Sequence, residues 1–125
     1  MPPKKTILFI GGGKEAIPGV KYARKIGYKT IISDQSNNAP ARKYSDYFIK
    51  ASTYDQKLTT KKAIIFNKKV TKINGVMSLS ADVPFTVACV AKKLKLRSIP
   101  LKTAEIFSDK YLMKKKFQEL GILVP

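Results

Sequence analysis

Thr6 to Ile10 is an unbroken apolar, β-branched run that stops at Gly11-Gly12-Gly13, and a run without polar alternation is that of a strand covered on both faces. Pro18 to Ile26 changes period: Val20, Ala23 and Ile26 recur at helical spacing, and Gly27 ends the helix. Lys29 to Ser33 returns to a strand ending at Asp34, Gln35 to Arg42 is polar with Pro40 inside it and reads as loop, and Tyr47 to Lys50 is a short third strand. Asp55 stands where it caps a helix reaching about Lys69, and Ile73 to Ser80 predicts a fourth strand. Asp82 caps the next helix, with Pro84 in its first turn and Val87, Val90, Ala91 and Leu94 along one stripe. Strands separated by helices predict a Rossmann-like, doubly wound α/β domain with a mostly parallel sheet over residues 1–100. The segment 101–125 differs in kind, because Leu101 to Phe107 and Asp109 to Leu120 predict two successive helices with no strand between them.

A chain of 125 residues, 44% apolar, suffices for one core, and no apolar run approaches the roughly 18 residues of a membrane-spanning helix. The apolar stretch behind the basic start runs straight into glycines, so it does not read as a secretory signal. One cysteine, Cys89, forms no internal disulfide, which points to the reducing cytoplasm, and inside an apolar run it reads as a small buried residue. The absence of histidine excludes Ser-His-Asp and Cys-His catalysis within these residues. A net charge of +17 raises nucleic acid as a partner, but all the basic residues except Arg24, Arg42 and Arg97 are lysines spread along the chain. Spread lysine reads as solvated surface, whereas base and phosphate readout favours the forked guanidinium.

In an open α/β sheet the ligand site lies outside the carboxyl ends of the strands, here Gly11 to Gly13, Asp34, and Ser80 to Asp82. Gly11-x-Gly13-x-x-Ala16 with Asp34 at the second strand's end matches the dinucleotide fingerprint. Against it, Pro18 delays the first regular helical turn and draws the helix N-terminus away from the glycines. The glycines therefore read as a dinucleotide cradle, a tight turn, or a loop touching another anionic ligand. Asp34 is a ribose contact or a residue that turns its own backbone, and Asp82 a helix cap or a ligand contact. Lys14 and Glu15 read as solvated loop charges, and Tyr44, Tyr47 and Tyr54 as packing around the third strand.

The ordered set resembles the amino-terminal, pre-ATP-grasp domain of ATP-grasp ligases of the carbamoyl-phosphate synthase large chain and biotin carboxylase kind. It comprises Gly11-Gly12-Gly13, Lys25-Ile26-Gly27-Tyr28, Asp34, Ala39-Pro40-Ala41 before Tyr44-Ser45-Asp46, Asn74-Gly75-Val76, Asp82-Val83-Pro84, and Asp109-Lys110-Tyr111-Leu112-Met113-Lys114 before Leu120 to Pro125. The resemblance implies a carboxylate-amine ligase acting through an acyl-phosphate made from ATP and Mg2+. Its acceptor, a small-molecule carboxylate or amine, would lie over Gly11, Gly12 and Gly13 near Asp34, Ser80 and Asp82, and Lys110 would reach the ATP phosphates. The family's second phosphate lysine, its covering loop and its Glu and Asn metal ligands correspond to sequence beyond Pro125. These residues thus carry no assigned catalytic residue or metal ligand, residues 101–125 read as the lead-in to an ATP-grasp domain, and the 125 residues alone are expected not to turn over ATP. The resemblance leaves a homodimer open. Two other classes stand beside it: a non-catalytic dinucleotide-binding module, and a basic nucleic-acid binder.

Overall fold

The computed structural model describes residues 4–81 and 83–96. Four strands, β1 (Thr6–Ile10), β2 (Lys29–Asp34), β3 (Tyr47–Lys50) and β4 (Gly75–Met77), form one parallel sheet in the order β3-β2-β1-β4. Ile7 pairs with Thr30 and Gly75, and Ile32 with Phe48, so β1 and β2 are central strands. This explains the missing alternation in Thr6–Ile10, because every residue of β1 is buried.

Successive β1 side chains point to opposite faces, and each face has its own cover. Ile7 and Phe9 pack with Val20 and Ala23 of α1 (Ile17–Lys25). Leu8 and Ile10 pack with Ala63 of α2 (Gln56–Lys69) and with Val87, Val90 and Ala91 of α3 (Pro84–Leu94). Helices on both faces of a parallel sheet make the predicted doubly wound α/β fold. Full burial of a side chain such as Phe9 or Ile31 contributes about 1.5–3 kcal/mol, so the two layers dominate the fold's stability.

The ends of the elements follow from local chemistry. Asp55 Oδ1 accepts from the Leu58 amide at 3.0 Å, the expected cap of α2. The chain leaves α1 through Gly27 at φ +97°, and the Tyr28 amide reaches back to the Ala23 carbonyl at 2.9 Å. As Pro18 predicts, regular helix starts late: a 3-10 turn, Lys14–Ala16, separates the glycines from α1.

Three expectations are corrected. The fourth strand is shorter than Ile73 to Ser80, because Asn74 meets Thr6 with its side chain and its amide, while Ser78 turns the chain away after Met77. Tyr54 is 80% exposed rather than packed, whereas Tyr44 and Tyr47 are half-buried. Cys89 is half-buried, not enclosed, because it lies off the Val87–Val90–Ala91 stripe of α3. No helix among the described residues is long and apolar enough to cross a membrane. The predicted helices of 101–120, and with them Asp82 and Lys110, lie outside the described residues.

Candidate functional site at the carboxyl edge of the sheet

β1 delivers Gly11–Gly13 to the carboxyl edge between the ends of β2 and β4. Gly11 holds φ +95°, a conformation suited to glycine, and a Cβ there would stand 2.7 Å from Ser80 Oγ. Gly12 has a different reason to be glycine: a Cβ would meet Ile32 Cγ2 at 2.6 Å and Ala39 Cβ at 2.9 Å. The loop is thus wedged between the β2–β3 connection and the segment after β4.

Its amides are spoken for. Gly11 N donates to the Ser33 carbonyl at 2.7 Å, Gly12 N to Asp34 Oδ2 at 2.9 Å, and Gly13 N to Ser80 Oγ at 3.1 Å. The second Asp34 oxygen, Oδ1, accepts from Ser36 N at 2.9 Å, so this carboxylate closes its own turn with one oxygen and holds the glycine loop with the other. Ser78 Oγ lies within hydrogen-bond reach of the Ile10 carbonyl at 2.8 Å and the Ala81 carbonyl at 2.7 Å, tying the end of β1 to the segment after β4. The Gly12 carbonyl accepts from Ala41 N at 2.8 Å. Gly11, Gly12, Gly13, Asp34 and Ser80 are therefore brought together as the sequence anticipates, with Asp34 and Ser80 acting on the loop itself.

This geometry bears on the three readings of the glycines. A pyrophosphate cradle needs outward-facing amides at a helix N-terminus, and a ribose needs a carboxylate free to accept its hydroxyls. Here the three glycine amides are engaged inside the protein and both Asp34 oxygens accept from the backbone. The arrangement fits a tight turn or a loop held from within the protein better than a dinucleotide cradle. Among the described residues there is no group of three or more His, Cys, Asp or Glu that could hold a metal ion.

Beside the loop an open groove of about 880 Å³ runs past Lys14, Pro18, Asn38, Arg42 and Lys43. Arg42 is held by Nη1 donating to the Asn37 carbonyl at 2.8 Å and by its guanidinium lying 4.1 Å from the Phe48 ring centroid. Sequence reasoning passed over Arg42 as loop and Ser78 as strand. Short polar residues around a strand end were the available signal, but it does not say which carbonyl a hydroxyl will meet.

No family model and no curated protein sequence matches the chain. Solved structures do. Phosphoribosylglycinamide synthetase from Anaerococcus prevotii superposes with a TM-score of 0.65 at 21% identity, covering 94% of this chain and 29% of its own. N5-carboxyaminoimidazole ribonucleotide synthetase from Thermotoga maritima gives 0.58 at 25% identity, over 97% and 32%. N5-carboxyaminoimidazole synthetase from Staphylococcus aureus, complexed with ADP, gives 0.59 at 22% identity, over 94% and 31%. These are ATP-grasp enzymes, and the chain has the α/β fold of their N-terminal region, in keeping with the resemblance read from its motifs. It spans about a third of the length of each.

Proposed function

We propose that the chain is the acceptor-side lobe of a larger ATP-dependent ligase that joins a carboxylate to an amine through an acyl-phosphate. The observation that supports it best is the pairing of this fold, shared over at least 94% of the chain with synthetases, with a stiffened glycine loop at the sheet's carboxyl edge. A small-molecule carboxylate or amine lies over Gly11, Gly12 and Gly13. Ser80 and Asp34 keep that loop in place, and Asp82 borders the same pocket. Lys110 contacts ATP phosphate as a point charge, and residues 101–125 lead from the domain of residues 1–100 into the ATP-grasp portion. ATP and Mg2+ are held mainly by sequence beyond residue 125. The division of labour is physical: one lobe shapes the acceptor pocket, the other positions phosphate and metal, and neither alone assembles both reactants.

The mass of the natural polypeptide carrying these residues tests the reading. Because the chain spans 29–32% of the synthetases, a mass about three times 13.9 kDa is expected. A natural polypeptide of 13.9 kDa would leave no room for the phosphate-binding lobe and would overturn it.

A further inference from the structure

On the opposite side of the sheet from α1, helices α2 and α3 pack side by side and leave a groove of about 640 Å³ between them. Its floor is apolar: Ile65, 43% exposed, projects from α2, and the half-buried Cys89 faces it from α3. Four exposed lysines frame it, Lys57 and Lys61 one turn apart on α2, and Lys92 and Lys93 on the last turn of α3. Among the described residues no carboxylate lines it. This surface takes no part in the carboxyl-edge site.

The charge decides the occupant. A seam between two helices with an apolar floor accepts the apolar stripe of a third helix, laid ridge into groove. A second copy of this chain would bring +17 against +17. The chain's own residues 97–125 carry six basic residues (Arg97, Lys102, Lys110, Lys114, Lys115, Lys116) against Glu105, Asp109 and Glu119, and so offer the wrong sign as well. We propose that the α2–α3 groove is a docking surface for an amphipathic helix of a different protein, apolar on one stripe and acidic beside it. Leucine-like side chains of that helix sit on Ile65 and Cys89, and its carboxylates pair with Lys61 and Lys92 across the rims. The apolar contact supplies most of the affinity, and the lysines supply register and encounter rate. If the natural polypeptide is longer, as the ligase reading has it, the groove must stay open in it too, and slow maleimide labelling of Cys89 in that polypeptide without peptide would overturn the proposal while leaving the ligase reading intact.

Cys89 is the chain's single cysteine and therefore reports directly on the groove. The test uses the full chain and a capped synthetic peptide of about 18 residues, five helical turns, with Leu at helical i, i+3, i+4 and i+7 spacing and Glu elsewhere. A peptide of the same composition in scrambled order is the control. At a peptide concentration of ten times Kd, maleimide labelling of Cys89 is expected to slow about tenfold, because only the open fraction reacts. Lys61→Glu with Lys92→Glu should weaken binding about tenfold or more at low salt, and Ile65→Asp should abolish protection. All three positions are solvent-exposed, so the variants should retain the parent's circular dichroism, which is checked first. Equal protection by the scrambled peptide, unchanged binding by the variants, or no protection up to about 1 mM peptide overturns the proposal. Slow labelling of the peptide-free chain overturns it too: a dimeric mass would then assign the groove to a second copy, and a monomeric mass to the chain's own segment.

Discussion

The amide of Gly12 donates to Asp34 Oδ2 across 2.9 Å, joining the loop after β1 to the end of β2. One carboxylate thereby fixes two backbone turns, since its other oxygen accepts from Ser36 N. In a dinucleotide-binding domain the aspartate at this place would face a ribose. Here it faces the loop, and the floor of the candidate acceptor pocket is built from the protein's own hydrogen bonds.

Removing that carboxylate strands a buried amide. Asp34→Ala is expected to lose about 1–3 kcal/mol of stability, read as a lower urea midpoint at unchanged m. Asp34→Asn keeps one carbonyl oxygen for two donors and should fall between the two. An unaltered midpoint in Asp34→Ala would show that the Gly12 amide finds another partner at no cost.

Two glycines should respond to alanine for different reasons. At Gly12 the new methyl meets Ile32 Cγ2 and Ala39 Cβ, neither on a flexible side-chain end, and overpacking of this kind costs about 1–3 kcal/mol. At Gly27 nothing lies within 4 Å, so Gly27→Ala carries only the left-handed backbone cost of about 1–2 kcal/mol. Relief of Gly12→Ala by Ile32→Val, with no effect of the same change on Gly27→Ala, would separate crowding from backbone strain in denaturant titrations.

The sheet and its covering helices were legible because β1 lies between β2 and β4 and is buried on both faces, which forces the unbroken run Thr6–Ile10. The cap of α2 by Asp55 was equally plain, but the expected Asp82 cap is corrected, because α3 takes Val83 as its N-cap residue, with no side-chain cap. The end of β4 was not legible either. Ser78 and Ser80 continue a strand-like stretch, yet their hydroxyls leave the ladder to bind Ile10 and the glycine loop, a choice made by contacts some 67 residues away in sequence. The glycines and Asp34 meet at the carboxyl edge, as strand order and spacing anticipate, but a carboxylate's direction is set by the amide it meets, and spacing does not encode it. Cys89 misled because its neighbours are apolar, while the helical period turns it toward the seam with α2 rather than into the sheet layer.

Alkaline pH should expose the packing of Tyr28. Burial against α1 disfavours the phenolate and holds its pKa above the ordinary tyrosine value. A group whose folded pKa is raised contributes stability that is fully present below its unfolded pKa, about 10, and is lost as pH rises toward the folded value. Phenolate absorbance should therefore show a component, lost in Tyr28→Phe, that ionises above the ordinary tyrosine value, with stability declining over the same range. An absorbance titration that Tyr28→Phe leaves unchanged in that range would contradict this account of Tyr28.

The central claim is that the glycine loop carries the acceptor and not the nucleotide. Steady-state kinetics of the natural polypeptide carrying these residues, with the proposed ligase reaction as assay and Ser80→Ala removing the oxygen that Gly13 N donates to, tests it most directly. The KM for the carboxylate or amine acceptor should rise about tenfold while the KM for ATP stays as it was. A rise in the ATP KM with the acceptor KM unmoved, or ADP formation that needs no carboxylate or amine at all, would contradict it.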